Sequence, residues 1–257
     1  MIHFVGAGPG AADLITVRGR QLIEKADVVI YAGSLVNPEL LEYARTDAEI
    51  LDSAVMTLEE VTEVMTAAHA EGKEVVRLHT GDASVFGAIR EQMDLLDERG
   101  IPFDVCPGVT ACFGAAASLQ MEYTLPEVTQ TLIITRLGGK TPVPDKERLR
   151  LLAEHQASMA IYLSAGMLDR LSEELLAGGY PPETPAALVY KATWREEKKV
   201  ICTVETLAEA GRENGIDRLA VVLVGRAVDP QGNYERSMLY HPDFETMYRR
   251  PAGTSGE

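Results

Sequence analysis

Residues 2–10 read IHFVGAGPG: an apolar strand that runs straight into a glycine-rich turn. A dinucleotide site requires G-x-G-x-x-G opening a helix. It also requires an acidic residue about 20 positions on, at the tip of the second strand. Here Gly6, Gly8 and Gly10 are spaced G-x-G-x-G. Pro9 removes an amide donor from the turn and fixes its own φ. The second expected strand, VVIY at 28–31, ends in Ala32-Gly33-Ser34 and offers no acid at its tip. The turn lets a ligand approach the backbone closely, but a pyrophosphate is not the ligand it suits. From the turn alone, a nucleotide, another small ligand and a plain structural turn stay open.

Outward from the turn, short β-branched runs alternate with helical patterns. Residues 2–5, 28–31, 49–51, 75–78 and 103–105 are expected strands; 17–26, 58–70 and 85–99 carry apolar residues at helical spacing. Thr57-Leu58-Glu59-Glu60 fits a capping box, and Gly72 and Gly100 stand just past helix ends, where a left-handed residue is needed. Such alternation predicts a mainly parallel sheet. The pattern changes after Ala117. Residues 121–127 contain Pro126, lack periodicity and are the expected linker. A second set of strands follows at 131–135, 158–163, 186–190, 199–203 and 219–224, with helices at 145–154, 167–177 and 206–213. The charged turn before residues 198–202 suggests a hairpin and some antiparallel pairing. The expected layout is two α/β domains, 1–120 and 128–249, the first sheet mainly parallel and the second mixed, with a disordered tail at 250–257.

The chain has 257 residues, 46% hydrophobic and 25% charged, which is ordinary for a soluble globular protein. No stretch approaches the roughly 18–20 apolar residues of a membrane span. The apolar run at the start is too short for a signal peptide. Cys106, Cys112 and Cys202 form no pairing pattern and suit a reducing cytoplasm. A net charge of -15 with no basic stripe argues against nucleic acid. A polyanionic ligand would have to be met by local cations that overcome the global field.

Ligands of open parallel sheets bind beyond the carboxyl ends of the strands. Three strand ends carry loops of small, flexible residues: Gly6 to Gly10, Thr80-Gly81-Asp82-Ala83-Ser84, and Pro107-Gly108-Val109-Thr110-Ala111. Together they would leave a cavity walled by backbone. Asp82 is placed either to bind a ribose hydroxyl or amine, or to cap a helix starting near Ser84. Thr110 is placed to cap a helix beginning at Ala111. His79 stands near this cavity, functional or merely structural. No histidine–acid pair has metal-ligand spacing, so no metal is expected. Neither a nucleophile elbow nor a P-loop lysine occurs, and nothing marks Cys106 as an activated thiol. Hydrolysis and phosphoryl transfer fit poorly. Tyr190-Lys191-Ala192-Thr193-Trp194-Arg195 sets the single tryptophan beside two cations. The segment suits a flat, carboxylate-bearing ligand or a surface hairpin with a half-buried tryptophan.

FVGAGPG with Leu14-Ile15-Thr16, ADVVIYAGSL, TGD-x-S-x-x-G, PGVTA and the later ITR together resemble the tetrapyrrole (corrin and sirohaem) methyltransferases, almost to Arg249. Within that family, Tyr31 to Leu35, Arg90-Glu91-Gln92, Thr141-Pro142-Val143-Pro144 and Tyr190 to Trp194 resemble the branch acting on precorrin-4 or cobalt-precorrin-4 at C-11, in cobalamin biosynthesis. The resemblance implies two α/β domains with the active site between them, S-adenosylmethionine as methyl donor, and a homodimer. It places cofactor contacts on Pro9, Gly81, Asp82, Val85, Thr110, Ala111, Leu163 and Ala192. Members acting on uroporphyrinogen III carry an aspartate where this chain has Ala32, and a lysine in the region of residues 52–54 where it has none. This argues against that substrate.

No general base stands out. Arg90, Arg136, Lys191 and Arg195 are the expected anchors for the macrocycle's carboxylates. The rival readings are a methyltransferase acting at another corrin carbon or on a protein, a nicotinamide-dependent dehydrogenase resting on the glycine turn alone, and a non-catalytic tetrapyrrole carrier. Adenosylhomocysteine binding without nicotinamide binding separates the methyltransferases from the other two.

Overall fold

The computed structural model describes residues 1–33, 35–229 and 234–250. Ser34 and the expected tail from Pro251 lie outside them. The first half runs β1 (Ile2–Gly6), α1 (Val17–Lys25), β2 (Val28–Tyr31), β3 (Glu49–Asp52), α2 (Leu58–Ala70), β4 (Val75–His79), α3 (Ile89–Glu98), β5 (Phe103–Cys106) and α4 (Ala111–Leu119). The second runs β6 (Leu132–Arg136), α5 (Leu149–Ala153), β7 (Ser158–Tyr162), α6 (Leu168–Ala177), β8 (Pro185–Tyr190), β9 (Lys198–Thr203), α7 (Leu207–Asn214) and β10 (Ala220–Val224). Each half builds one five-stranded sheet among the described residues.

The first sheet is parallel throughout, in the order β3-β2-β4-β1-β5. Its central strands β1, β2 and β4 are buried almost throughout because both faces of the sheet are covered. On one side Ile2, Phe4, Val28 and Ile30 pack with Val61 and Met65 of α2 and Leu96 of α3. On the other, Val5, Val29 and Val76 pack with Ile23 of α1 and with Leu40 of the 3-10 helix Pro38–Tyr43. The capping box is complete: Glu60 N donates to Thr57 Oγ1 at 3.2 Å, and Thr57 N donates to Glu60 Oε2 at 2.7 Å. Gly72 and Gly100 adopt φ of +76° and +65°.

The second sheet has the order β6-β7-β10-β8-β9. β6 and β7 are parallel; the other pairings are antiparallel, including the β8–β9 hairpin. Leu149, Leu171, Leu175 and Leu207, from α5, α6 and α7, cover one face. The opposite face is covered by α4, whose Cys112, Ala115 and Ala116 pack on Ala160, Ala187 and Leu223. A helix of the first half thus completes the core of the second.

Two helix limits differ from expectation. α3 begins at Ile89 because Phe86 and Ala88 hold left-handed φ of 57° and 50°, which a helix interior excludes. Residues 145–154 divide into the 3-10 helix Asp145–Glu147 and α5, broken by extended Arg148.

Candidate active site

The loops after β4, β1 and β5 are neighbours, because those three strands are adjacent. They interlock through backbone. Gly8 and Gly81 exchange two hydrogen bonds, of 3.1 and 2.9 Å. A Cβ on Gly6 would stand 2.6 Å from Gly108 Cα and 2.7 Å from Gly81 O, so only glycine permits this approach.

Asp82 staples the loops. One carboxylate oxygen accepts from Gly108 N at 2.7 Å, and the other accepts from Ser84 N at 2.9 Å and from Ser84 Oγ. Burial works against its charge, yet these bonds outweigh burial and hold its pKa below the usual carboxylate value.

The second half meets these loops with one edge of its sheet: the ends of β6, β7 and β8 and the start of β10. The contact is tight at the glycine turn. Any Cβ on Gly10 would collide with Trp194 and Ala192 O, and Ala11 N donates to Thr193 Oγ1 at 2.9 Å. Beside it, Tyr162 at the end of β7 accepts from Cys112 N at 2.7 Å and bonds Thr110 Oγ1 at 2.7 Å. Burial raises the pKa of the Tyr162 phenol and of the Cys112 thiol, so neither ionises near neutrality. Thr110 occupies the cap position of α4, but its side chain makes no capping bond there and turns to Tyr162 instead.

Between the halves lies a cavity of about 650 Å³, within the usual range of ligand sites. Of the expected cofactor residues, Pro9, Gly81, Val85 and Thr110 line it from the first half. Ala111 joins them, and Leu163 and Ala192 line it from the second half. Asp82 is not in the lining; it acts on the walls. Arg136 and Lys191 line the cavity, whereas Arg90 and Arg195 do not. Arg90 is exposed and paired with Asp94, and Arg195 is exposed and paired with Glu39 at 3.0 Å. Trp194 lines the wall, with Lys191 Nζ 4.8 Å above its ring, a cation–π arrangement.

Sequence reasoning missed Phe86, Tyr162, Lys140 and Arg218, all in the lining. Phe86 follows the Gly81 loop directly, so an apolar aromatic after that motif was a usable signal. Tyr162 carried none, because its partners come from the other half. Strained backbone also gathers here: Phe86, Leu163, Lys191 and Leu219 line the cavity with φ of 57°, 53°, 46° and 54°. Left-handed non-glycine residues are uncommon and concentrate at functional sites. His79, by contrast, is buried against Phe4, its ring 6.0 Å away, outside the lining.

A family model for tetrapyrrole (corrin/porphyrin) methylases matches residues 1–208. The chain belongs to the tetrapyrrole methylase family. A cobalt-precorrin-4 C(11)-methyltransferase of Methanocaldococcus jannaschii is 53% identical over 249 residues, 97% of this chain and 96% of that protein. The X-ray structure of a cobalamin biosynthetic enzyme, cobalt precorrin-4 methyltransferase, is similar at a TM-score of 0.87 and 47% identity, over 89% of this chain and 96% of that one. A uroporphyrin-III C-methyltransferase of Thermus thermophilus, complexed with S-adenyl homocysteine, is similar at 0.74 and 26% identity, over 89% and 93%.

Proposed function

We propose that this chain transfers the methyl group of S-adenosylmethionine to C-11 of precorrin-4 or cobalt-precorrin-4, in cobalamin biosynthesis. The observation that carries this reading is the interlocking of Gly6, Gly81 and Gly108 over one cavity shared by both halves. A Cβ on Gly6 or Gly108 would collide with the backbone of the facing loops and force them apart beneath the cavity that Gly81 lines. Backbone edges and apolar groups such as Val85, Leu163 and Ala192 suit an adenosyl and methionyl group.

When bound, the donor supplies an electrophilic sulfonium methyl. The protein's work is then positional. The three loops fix the depth of the site, and Tyr162 fixes Thr110 against the second half. Phe86, 5.5 Å from the Tyr162 ring, and Leu163 add apolar surface to the lining. Held in line and shielded from water, a methyl donor and a nucleophilic carbon need little further assistance. The lining carries four cations, Arg136, Lys140, Lys191 and Arg218, and one acid, Asp217. That local excess of positive charge, in a chain of net charge -15, fits a substrate rimmed by carboxylates. Three free thiols and the lack, among the described residues, of any helix long and apolar enough to cross a membrane fit a cytoplasmic enzyme.

The test is to incubate the pure protein with S-adenosylmethionine and precorrin-4, with and without cobalt, and to locate the new methyl by NMR. Methylation at C-11 is expected in one arm. A methyl at another carbon, or none in either arm, overturns the reading.

A further inference from the structure

Among the described residues, the turn after β2 is the one first-half loop in the cavity lining that carries no expected donor contact. It contributes Leu35, which is 40% exposed and so stands at the rim. How this turn is held decides where Leu35 lies. Its near end is fixed from β3. Tyr31 and Asp52 are register partners, so the two strand ends meet. Asp52 Oδ1 accepts from Gly33 N at 2.9 Å and from Ala54 N at 2.8 Å, and Ser53 Oγ donates to Tyr31 O at 3.0 Å. The far end is fixed elsewhere. Val36 is buried in the core on the α1 side, and Asn37 Nδ2 donates to Gly10 O of the glycine turn at 3.0 Å. Between these anchors, Leu35 N and Val36 N both donate to Ala32 O, at 3.0 and 3.1 Å.

Gly33 is what admits the carboxylate. Its φ is not left-handed, so backbone freedom does not call for glycine here. Space does: a Cβ would stand 2.1 Å from Asp52 Oδ2 and 2.4 Å from Asp52 Cγ. The Asp52 side chain fills the volume that a side chain at position 33 would take. Tyr31 to Leu35 is also one of the stretches by which the sequence resembles its branch of the family. Gly33 and Asp52, 19 residues apart, are two halves of one arrangement. Size assigns the rim to the methyl acceptor. The cavity of about 650 Å³ is suited to one ligand, since ligand pockets run to roughly 300–1,000 Å³. With the donor seated inside, a tetrapyrrole has to extend past the rim, where Leu35 stands.

We infer that Asp52 is a positioning residue for the methyl acceptor: its carboxylate, admitted by Gly33, holds the β2 turn so that Leu35 forms an acceptor-side wall of the cleft. The inference rests on the proposed reading of the cavity as a site of methyl transfer to a tetrapyrrole. It divides the duties of the first half. The loops after β1, β4 and β5 hold the donor, and the turn after β2 sets where the acceptor ring lies. Loosening that turn lets the ring settle off line, which weakens use of the acceptor and leaves donor affinity intact.

The experiment uses the full chain and whichever of precorrin-4 and cobalt-precorrin-4 it methylates. Asp52→Ala is expected to raise the acceptor KM about tenfold, as for a lost hydrogen-bonded brace. Asp52→Asn keeps a side-chain oxygen for both amides and should stay within about twofold of wild type. Gly33→Ala evicts the carboxylate and should match Asp52→Ala. In the double variant Gly33→Ala/Asp52→Ala the new methyl meets no carboxylate, so its KM should be no worse than that of either single variant. Adenosylhomocysteine affinity by calorimetry should stay within about twofold throughout, which also shows that each variant is folded. An unchanged KM in Asp52→Ala and Gly33→Ala overturns the inference, even where the urea midpoint falls. So does an Asp52→Asn variant as poor as Asp52→Ala, additive losses in the double variant, or donor affinity lost in step with KM. These results leave the proposed function standing. A wild-type chain that methylates neither compound overturns both.

Discussion

Tyr162 accepts the amide of Cys112 at 2.7 Å, tying the last residue of a strand in one half to the first turn of a helix in the other. An amide in a helix's first turn has no partner within the helix. Tyr162→Phe leaves this one stranded in a buried setting. The expected loss is about 1–3 kcal/mol of unfolding free energy, read as a lower urea midpoint. An unchanged midpoint would show that the bond contributes nothing to the joint between the halves.

Gly81→Val should abolish or greatly weaken donor binding. Gly81 holds φ +63°, and its Cβ would stand 3.3 Å from Thr110 Cα. Gly72→Ala is the control: φ is +76° there, but nothing lies within 4 Å. It should lose about 1 kcal/mol of stability and keep its affinity for adenosylhomocysteine by calorimetry.

Lys191→Ala should raise the tetrapyrrole KM several-fold, because it removes a cation from the lining and from the Trp194 face. Arg195→Ala and Arg90→Ala break exposed pairs, which contribute roughly 0–1 kcal/mol. Their KM should stay within about twofold of wild type. A large rise in the Arg195 variant would restore it as a direct anchor.

Acid should destabilise the fold through His79. Burial, with the nearby Arg77 charge, lowers its pKa to about 3 from 6.5, and its Nε2 has no hydrogen-bond partner among the described residues. Below pH 6.5 the unfolded chain takes up a proton that the folded chain refuses. The contribution is therefore intact above pH 6.5 and shrinks as pH falls toward 3. By pH 5 the loss is about 2 kcal/mol. His79→Leu should flatten this part of the stability–pH curve; parallel curves for the two proteins would refute it.

What the sequence showed and what it hid follow from the range of each interaction. Local signals were legible. The Thr57–Glu60 box, the β-branched strands and the glycines after helices depend on neighbours a few residues away. The three-loop convergence was legible too, because loops at adjacent strand tips need only the strand order. Asp82 was placed in the right loop, but its carboxylate serves Gly108 across 26 residues, a choice that spacing cannot show. The tip of β2 is similar. No acid follows Tyr31 in the chain, yet Asp52 Oδ1 accepts from Gly33 N there at 2.9 Å. It arrives from β3, through a register that only pairing reveals. Tyr162 was hidden for the same reason, because Thr110 and Cys112 reach it across 50 residues or more.

Helix α4 belongs to the first half by chain order and to the second by packing. Its alanines are the floor on which the second sheet rests. Exchange of the second half with a relative, by recombination or by engineering, therefore cannot be a clean graft at the connecting segment. The incoming sheet must accept a foreign helix, and a mismatch there would shift Thr110 and Ala111, at the head of that helix, inside the cavity. Any new specificity gained by shuffling halves must first be compatible with nine residues that neither half owns alone.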